Sequence, residues 1–362
     1  MKFPVASALA ALTLLTCTLV RGETPETAPK KQPAVNTRAA VDTLKDAELD
    51  EVIRLLKENY VKPEALEEAE QRRATVQGLL ERIGPGATIL EGTAATETGA
   101  SPFRAEIIDQ RIGYARLGAI SPGNVGELDA ALQKFTTSNL AALVLDLRAT
   151  PAGSDFEQTA EVCRRFCPKG KVLFSVKKPN LKQEQILTSK DDPKFRGILV
   201  ALVDRSTAGN AEVIAAVLRT HVKALVIGQQ TRGEAAEFAE FPLAGGEVLR
   251  IAVAEVALPE GVPVFPGGVK PDLAIDVAPE TTAAVLKREL EKGVSEFVFD
   301  NERPRMNEAA LVAGTNPEFD AAQAAQKSKG ERPPPALRDV VLQRAVDFVT
   351  TIAIYEKKPG QK

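Results

Sequence analysis

The sequence predicts an α/β protein that begins with a pair of helices, and two observations carry this prediction. From Ile112 onward, short apolar runs alternate with amphipathic segments of helical spacing, which is typical of buried strands joined by helices. Before that point, residues 44–90 contain two longer segments with helical signals. The chain has 362 residues, of which 44% are hydrophobic, so it is long enough to bury a large core.

Residues 44–90 are predicted to form an N-terminal helical hairpin. The first helix has one apolar face and ends before Pro63. The second helix runs from Glu64 to Ile83, where the sequence GPG stops it. The apolar face of the first helix consists of Leu49, Val52, Ile53, Leu56 and Tyr60.

Residues 106–298 are predicted to form the α/β core. Buried strands are expected at 141–147, 171–176, 197–204 and 223–228. Helices are expected at 124–136, 155–167 and 210–220, and a β-hairpin is expected around Gly245 and Gly246. No glycine-rich phosphate-binding motif stands at a strand-to-helix turn, so nothing predicts a nucleotide cofactor.

The two ends of the chain carry different signals. Residues 1–22 combine Lys2, an apolar run and small residues at its end, which is typical of a cleaved signal peptide, with an uncleaved membrane anchor as the alternative. Residues 23–43 are expected to be a flexible linker and 299–336 an irregular excursion. Residues 337–353 are expected to form a last amphipathic helix that packs on the core.

Composition excludes several classes of function. The 46 basic and 49 acidic residues give a net charge of −3, which provides no electrostatic attraction to nucleic acid or anionic lipid. One histidine and three cysteines leave too few ligands for a typical zinc site, so no metal and no cofactor are expected. Cys163 and Cys167 stand four residues apart on a predicted helix, where disulfide geometry is poor, and are expected to be small buried hydrophobes.

The order of the core motifs resembles that of the C-terminal processing, or tail-specific, serine peptidases. The stretches that carry the resemblance are LDEVIRLLKENYVKP, IGYARLGAISPGNVGELDAAL, LVLDLRATPAG, VALVDRSTAGNAEVIAAVL, ALVIGQQTRGEAAEFAEFPL and GGVKPDLAIDV. The resemblance implies a ClpP/crotonase-like core of stacked β-β-α units beside the helical hairpin. Members of that family carry a PDZ domain before the core, whereas residues 91–105 are too few to form a domain of about 50 residues or more.

The catalytic motifs depart from the family pattern at each position that carries chemistry. In STAGNAE the family's nucleophilic serine is replaced by Gly209, and in TRGE its general-base lysine is replaced by Glu234. Four residues further on, Phe238 replaces the family's glutamine. Ala152 and Gly153 match the turn whose backbone helps to form the family's oxyanion hole. The resemblance therefore implies a pseudopeptidase, in which no catalytic residue is expected.

Several alternatives remain open at the level of sequence. Ser206 or Thr207 is a fallback nucleophile, against the reading that both hydroxyls cap the helix that begins near Gly209. The Glu234 carboxylate is expected either at the start of that helix or against a cation such as Arg232. His221 is expected at a surface turn.

The resulting functional expectation is an exported protein, periplasmic or extracellular, that acts by binding. Its expected partner is a protein, a peptide or an apolar small ligand. No nucleic-acid partner is expected, and a membrane is a partner only if residues 1–22 remain attached. The alternatives are an active serine-type peptidase with a displaced nucleophile and a scaffold for an active paralogue.

Overall fold

A computed structural model of the chain describes residues 37–91, 102–298 and 337–356. The chain divides into two compact units, Met1–Thr75 and Val76–Lys362. The predicted signal peptide, most of the predicted linker and the predicted excursion at 299–336 lie outside the described residues. None of the helices within the described ranges has the length and apolar character that a membrane span requires.

Helices and strands of the described residues follow the predicted alternation. The helices are α1 (Thr37–Asp42), α2 (Asp46–Asn59), α3 (Glu68–Ile83), α4 (Pro122–Thr137), α5 (Phe156–Arg164), α6 (Asn210–Val222), α7 (Pro279–Lys292), α8 (Ser295–Val298) and α9 (Val340–Glu356). The strands are β1 (Ala87–Leu90), β2 (Arg104–Ile108), β3 (Ile112–Arg116), β4 (Ala142–Asp146), β5 (Val172–Lys178), β6 (Gln183–Thr188), β7 (Ile198–Val203), β8 (Leu225–Gly228), β9 (Ala236–Pro242), β10 (Val248–Ala257) and β11 (Leu273–Ala274). The α/β fold class is confirmed.

Both helices of the predicted hairpin are present as α2 and α3, with two differences from the expectation. The linker was expected to continue to residue 43, but Thr37–Asp42 already forms a short helix. The second helix starts at Glu68 because Pro63–Leu66 forms a separate 3₁₀ turn, in which Pro63 supplies the fixed φ of a helix start. Neither α2 nor α3 has a buried residue.

The core of the second unit contains two sheets. The six-stranded sheet has the order β11-β8-β7-β4-β3-β2 and is parallel except for the β2–β3 pair. In the five-stranded sheet, β10 pairs with β9, with β1 and with β5, which in turn pairs with β6. The chain alternates between the two sheets. Strands β2 to β4 belong to the six-stranded sheet, β5 and β6 to the five-stranded sheet, and β7 and β8 to the six-stranded sheet again.

The central strands β4 and β7 of the six-stranded sheet are buried on both faces, which explains why they are continuous apolar runs. Leu143 and Leu145 of β4 belong to the apolar cluster that also includes α4, α5 and α6. Val144, between them, belongs to the cluster on the other face, with residues of α8 and α9. The last helix therefore packs on the core, as its apolar face predicts.

Seven elements of the described residues besides α1 were not recognised in the sequence: β1, β2, β3, β6, β11, α7 and α8. Strand β6 is mostly exposed and polar at its start, so it shows no alternation of apolar residues. Strand β11 has two residues and is too short to give a pattern. Helix α7 does carry a signal, since Pro279 opens it, Glu280 lies in its first turn and Val285 and Leu286 form its buried side.

Candidate functional site

The candidate site lies where three parallel strands of the six-stranded sheet end. The segments that follow β4, β7 and β8 contain, respectively, Ala152 and Gly153, then Gly209, then Glu234. In sheets of this kind, ligands bind in the crevice outside the carboxyl ends of the strands. These residues and Phe238 line one cavity of about 480 Å³, here called the cleft. The strand ends thus bring together all the positions that the motifs single out.

Gly209 is the N-cap residue of α6 and has a backbone that favours glycine. Its φ is 57° and its ψ is −122°. A Cβ atom built on it would lie 2.6 Å from the carbonyl oxygen of Gly153 on the opposite loop. Asn210 N–H donates to that same oxygen at 3.1 Å, which holds the two loops together. A side chain at position 209 therefore requires a shift of the backbone across the cleft.

The buried carboxylate of Glu212 fixes the relative position of two segments of the site. It accepts the N–H of Gly209 at 3.0 Å, the N–H of Gly233 at 2.6 Å and the N–H of Glu234 at 2.7 Å. The hydroxyl of Thr231 donates to it at 2.5 Å. Burial raises the pKa of Glu212, and the four hydrogen bonds oppose that shift. The sequence signal for this role is a glutamate three residues after the N-cap, the second half of a capping box.

Glu234 lies between two arginines. Its carboxylate is 3.6 Å from Arg232 Nη1 and 3.5 Å from Arg250 Nη2. Of the two expected positions, the structure shows the one against Arg232, because Glu212 already accepts the N–H of Gly209 at the helix start. Arg250 was not singled out in the sequence, since it lies on β10 and approaches Glu234 only through the pairing of β9 with β10.

Phe238 provides the apolar part of the cleft. The Arg250 guanidinium lies over its ring, 3.7 Å from the centroid. Phe265 packs edge-on against the same ring, with the centroids 6.5 Å apart. The cleft therefore combines an aromatic surface with the charged side chains of Arg232, Arg250 and Glu234. Glu240 also lines it.

Two buried polar groups at this end of the sheet have no hydrogen-bond partner among the described residues. They are the Thr150 hydroxyl in the loop after β4 and the Asn210 Oδ1 at the start of α6. Buried polar atoms are normally paired with protein or water. This loop, which carries the oxyanion-type residues Ala152 and Gly153, therefore retains unused hydrogen-bonding capacity.

The fallback nucleophiles Ser206 and Thr207 form a local turn with Asp204. The Ser206 hydroxyl donates to Asp204 Oδ1 at 2.7 Å and the Thr207 hydroxyl at 3.1 Å, and both backbone N–H groups donate to the same oxygen. The expectation that these hydroxyls cap α6 is wrong, because they bond upstream to Asp204. Ser206 lines a separate cavity of about 310 Å³, which does not include Gly209 or Glu234.

The remaining residues of interest stand apart from the cleft. His221 is in the last turn of α6, half-buried rather than on the surface, and burial lowers its pKa. Cys163 and Cys167 are buried free thiols, and burial raises the pKa of Cys167 to about 12. Within the described ranges, no group of three or more histidine, cysteine or acidic side chains is placed to hold a metal ion.

Comparison with known proteins identifies the core. Residues 111–275 match peptidase family S41. The carboxyl-terminal-processing protease of Synechocystis sp. is 25% identical over 180 residues, which are 49% of this chain and 42% of that protein. The chloroplastic C-terminal processing peptidase of Tetradesmus obliquus is 27% identical over 216 residues, 59% of this chain and 44% of that protein. Each match spans less than half the length of the relative.

A third relative and one solved structure are also similar to this chain. The carboxy-terminal processing protease CtpA of Bacillus subtilis is 27% identical over 201 residues, 55% of this chain and 42% of that protein. The structure of a photosystem II D1 C-terminal processing protease has 26% sequence identity and a TM-score of 0.44, and covers 61% of this chain and 54% of that one. The sequence matches support the class of C-terminal processing serine peptidases. Residues 111–275 form a peptidase family S41 domain of this chain.

Proposed function

We propose that this chain is a non-catalytic, exported member of peptidase family S41 that acts by binding a ligand or a protein partner in the cleft. The observation that carries the proposal is Gly209 at the family's nucleophile position. Glycine has no oxygen to attack a carbonyl, and the carbonyl oxygen of Gly153 occupies the space into which a side chain would point.

The surroundings of Glu234 support the same proposal. A general base acts through hydrogen-bond contact with the proton that it removes. At this position Glu234 contacts Arg232 and Arg250, and Gly209 offers no proton. The chemical capacity that remains in the cleft is therefore recognition by shape, by the Phe238 surface and by backbone donors.

We propose an uncharged, apolar ligand for the cleft. Glu234 already occupies the space between Arg232 and Arg250, so a ligand carboxylate would have to displace it to reach these cations. The Phe238 ring and the alkyl parts of Leu90 and Ala236 line the same cavity and favour apolar contact. Apolar groups of a protein or peptide partner fit this surface as well as a small ligand does.

Titration of the wild type and the Glu234→Gln variant tests this ligand class. An apolar fluorophore is expected to bind the wild type more tightly than a peptide with a free carboxylate, and Glu234→Gln is expected to improve peptide binding by freeing the two arginines. Glu237→Gln is the matched control, since Glu237 lies three residues further along the chain, in β9, but pairs with Lys178 outside the cleft. Tight peptide binding by the wild type, unchanged in Glu234→Gln, contradicts the proposal.

One observation favours an active peptidase as the second candidate. The Ser206 hydroxyl has a buried carboxylate oxygen, Asp204 Oδ1, within hydrogen-bond distance. Because that oxygen accepts three further hydrogen bonds, the arrangement matches a local Asx-type turn. Peptide turnover that disappears in Ser206→Ala or Thr207→Ala would favour this candidate.

A scaffold role instead requires stable association with an active paralogue, which co-purification detects.

A further inference from the structure

A cluster of ionisable side chains lies buried beneath helices α7 and α9. Its members are Tyr114 and Arg116 from β3, Asp146 from β4, Arg148 just after β4, Glu289 from α7 and Asp339 just before α9. Each is at most 2% exposed. The cluster lies outside the cleft, and neither the family match nor the proposed function uses it.

Four of these groups form a balanced set of charges. Arg148 donates to both oxygens of Asp146, at 2.9 and 2.8 Å, and to both oxygens of Asp339, at 3.0 and 2.6 Å. Arg116 donates to Asp146 at 3.3 Å, and the Tyr114 hydroxyl donates to the same oxygen at 2.7 Å. Two arginines thus face two aspartates, and these charges cancel.

Glu289 is the surplus acid in this cluster. Arg116 Nη2 donates to Glu289 Oε2, but Glu289 Oε1 and Arg116 Nη1 have no partner among the described residues. An ionised pair of these residues would use both atoms in a two-pronged contact. An additional negative charge with one unpaired oxygen is costly at a fully buried position, whereas a neutral carboxyl costs much less.

We propose that Glu289 is held as a neutral carboxylic acid and that its ionisation at alkaline pH loosens α7 and α9 from the sheet. Helix α7 carries Glu289, and Asp339 both binds Arg148 and accepts the N–H of Leu342 at the start of α9. A charge on Glu289 repels Asp339 and Asp146, which are the groups that hold Arg148. Near the end of α7, the half-buried Arg104 and Glu106 bond Leu290 O and Val294 N and do not face the cluster.

The direction of the pH dependence follows from burial. Burial, followed by repulsion from Asp339, raises the pKa of Glu289 from 4.5 to about 8, while Arg148 and Arg116 oppose the shift. A carboxyl with a raised pKa in the folded state contributes its full stabilisation at low pH and loses it as the pH rises toward 8. Between the ordinary value of 4.5 and about 8, the unfolding equilibrium constant therefore rises by close to tenfold per pH unit because of this one group.

Urea unfolding of the full chain between pH 6 and pH 9 tests the inference with Glu289→Gln, which mimics the neutral acid. The variant is expected to gain on the wild type by about tenfold in the unfolding equilibrium constant for each pH unit between pH 6 and pH 8, and the difference should level off by pH 9. Glu291→Gln, an exposed position on the same helix, is the control and should follow the wild type throughout. A Glu289→Gln variant that is less stable by the same factor at every pH, or as stable as the wild type at every pH, would overturn the inference.

Two measurements on the wild type test the same proposal in case the variant folds poorly. The infrared C=O band of a neutral carboxyl should be present at pH 7 and disappear by pH 9, and absence of the band at pH 7 would overturn the proposal. Amide hydrogen exchange, corrected for the intrinsic pH effect, should accelerate in α9 but not in α6 over the same range. Equal acceleration in both helices would contradict a local loosening.

Discussion

At the position that corresponds to the family's nucleophile, Gly209 combines a positive φ with close contact to the opposite loop. Glycine accommodates both features, whereas any residue with a Cβ atom is destabilised at this position. The glycine that the motif matches to the family's nucleophile is therefore also a structural requirement of the present loop arrangement. Restoring a serine requires movement of the Gly153 backbone in addition to the substitution itself.

Gly209→Ala should reduce the free energy of unfolding by about 2–3 kcal/mol, because the added Cβ meets the carbonyl oxygen of Gly153 and the backbone is strained for alanine. Urea denaturation measures the change. Gly126→Ala is the control: it lies inside α4 with open space around it, so it should stabilise the protein by about 0.5–1 kcal/mol. Equal, small effects of both substitutions would show that position 209 is not strained.

Some features of the cleft could be predicted from the sequence, whereas contacts between residues distant along the chain could not. Gly209, Glu234 and Phe238 were singled out because their motifs resemble those of the family; the first two lie in segments after a strand and Phe238 lies in β9. The contact between Arg250 and Glu234 depends on the register of β10 against β9, which sequence spacing does not give. Likewise, Glu212 could be recognised as a helix cap, but its bonds to Gly233 and Glu234 depend on the meeting of two loops.

At the scale of elements, α9 is attached to the sheet in two ways. Its apolar side packs on the six-stranded sheet, as the sequence pattern predicts. Just before the helix, Asp339 bonds Arg148, 191 residues earlier in the chain. This buried ion pair is not readable from the sequence, since neither residue has a local signal for the other.

Asp339→Asn should destabilise the protein by about 3 kcal/mol, because Arg148 loses one of its two buried anions. The acid side of the stability curve should change as well. Although burial opposes it, Arg148 holds the pKa of Asp339 below its usual value of 3.8, and Arg148 and Arg116 do the same for Asp146. These groups therefore stabilise the fold above about pH 4 and lose that contribution as the pH falls below it.

Urea unfolding at pH 3, 5 and 7 measures this change. The stability of the wild type should fall steeply below pH 4, and Asp339→Asn should show a shallower fall because it lacks one of the two carboxylates. Asp347→Asn, on the same helix, serves as the control because Asp347 is exposed. An unchanged acid slope in Asp339→Asn would show that this pair does not couple α9 to the sheet.

At the scale of the whole molecule, the proposed function combines a peptidase family S41 core, proposed to lack catalytic side chains, with N-terminal residues whose sequence predicts export. If the leader is cleaved, the secreted protein begins near Glu23, since small residues end the apolar run just before it. Intact mass of the chain produced with its leader measures this, together with fractionation. A product that keeps residues 1–22 and stays with the membrane fraction would indicate an anchor instead.

The central claim is that this S41 chain performs no serine-peptidase chemistry. Intact mass spectrometry after incubation with a fluorophosphonate probe tests it most directly, because the probe forms a covalent bond with an activated serine or threonine. The wild type is predicted to keep its unmodified mass, as Gly209 has no hydroxyl and the hydroxyls of Ser206 and Thr207 are engaged by Asp204. A mass increase of one probe that disappears in Ser206→Ala or Thr207→Ala would contradict the account.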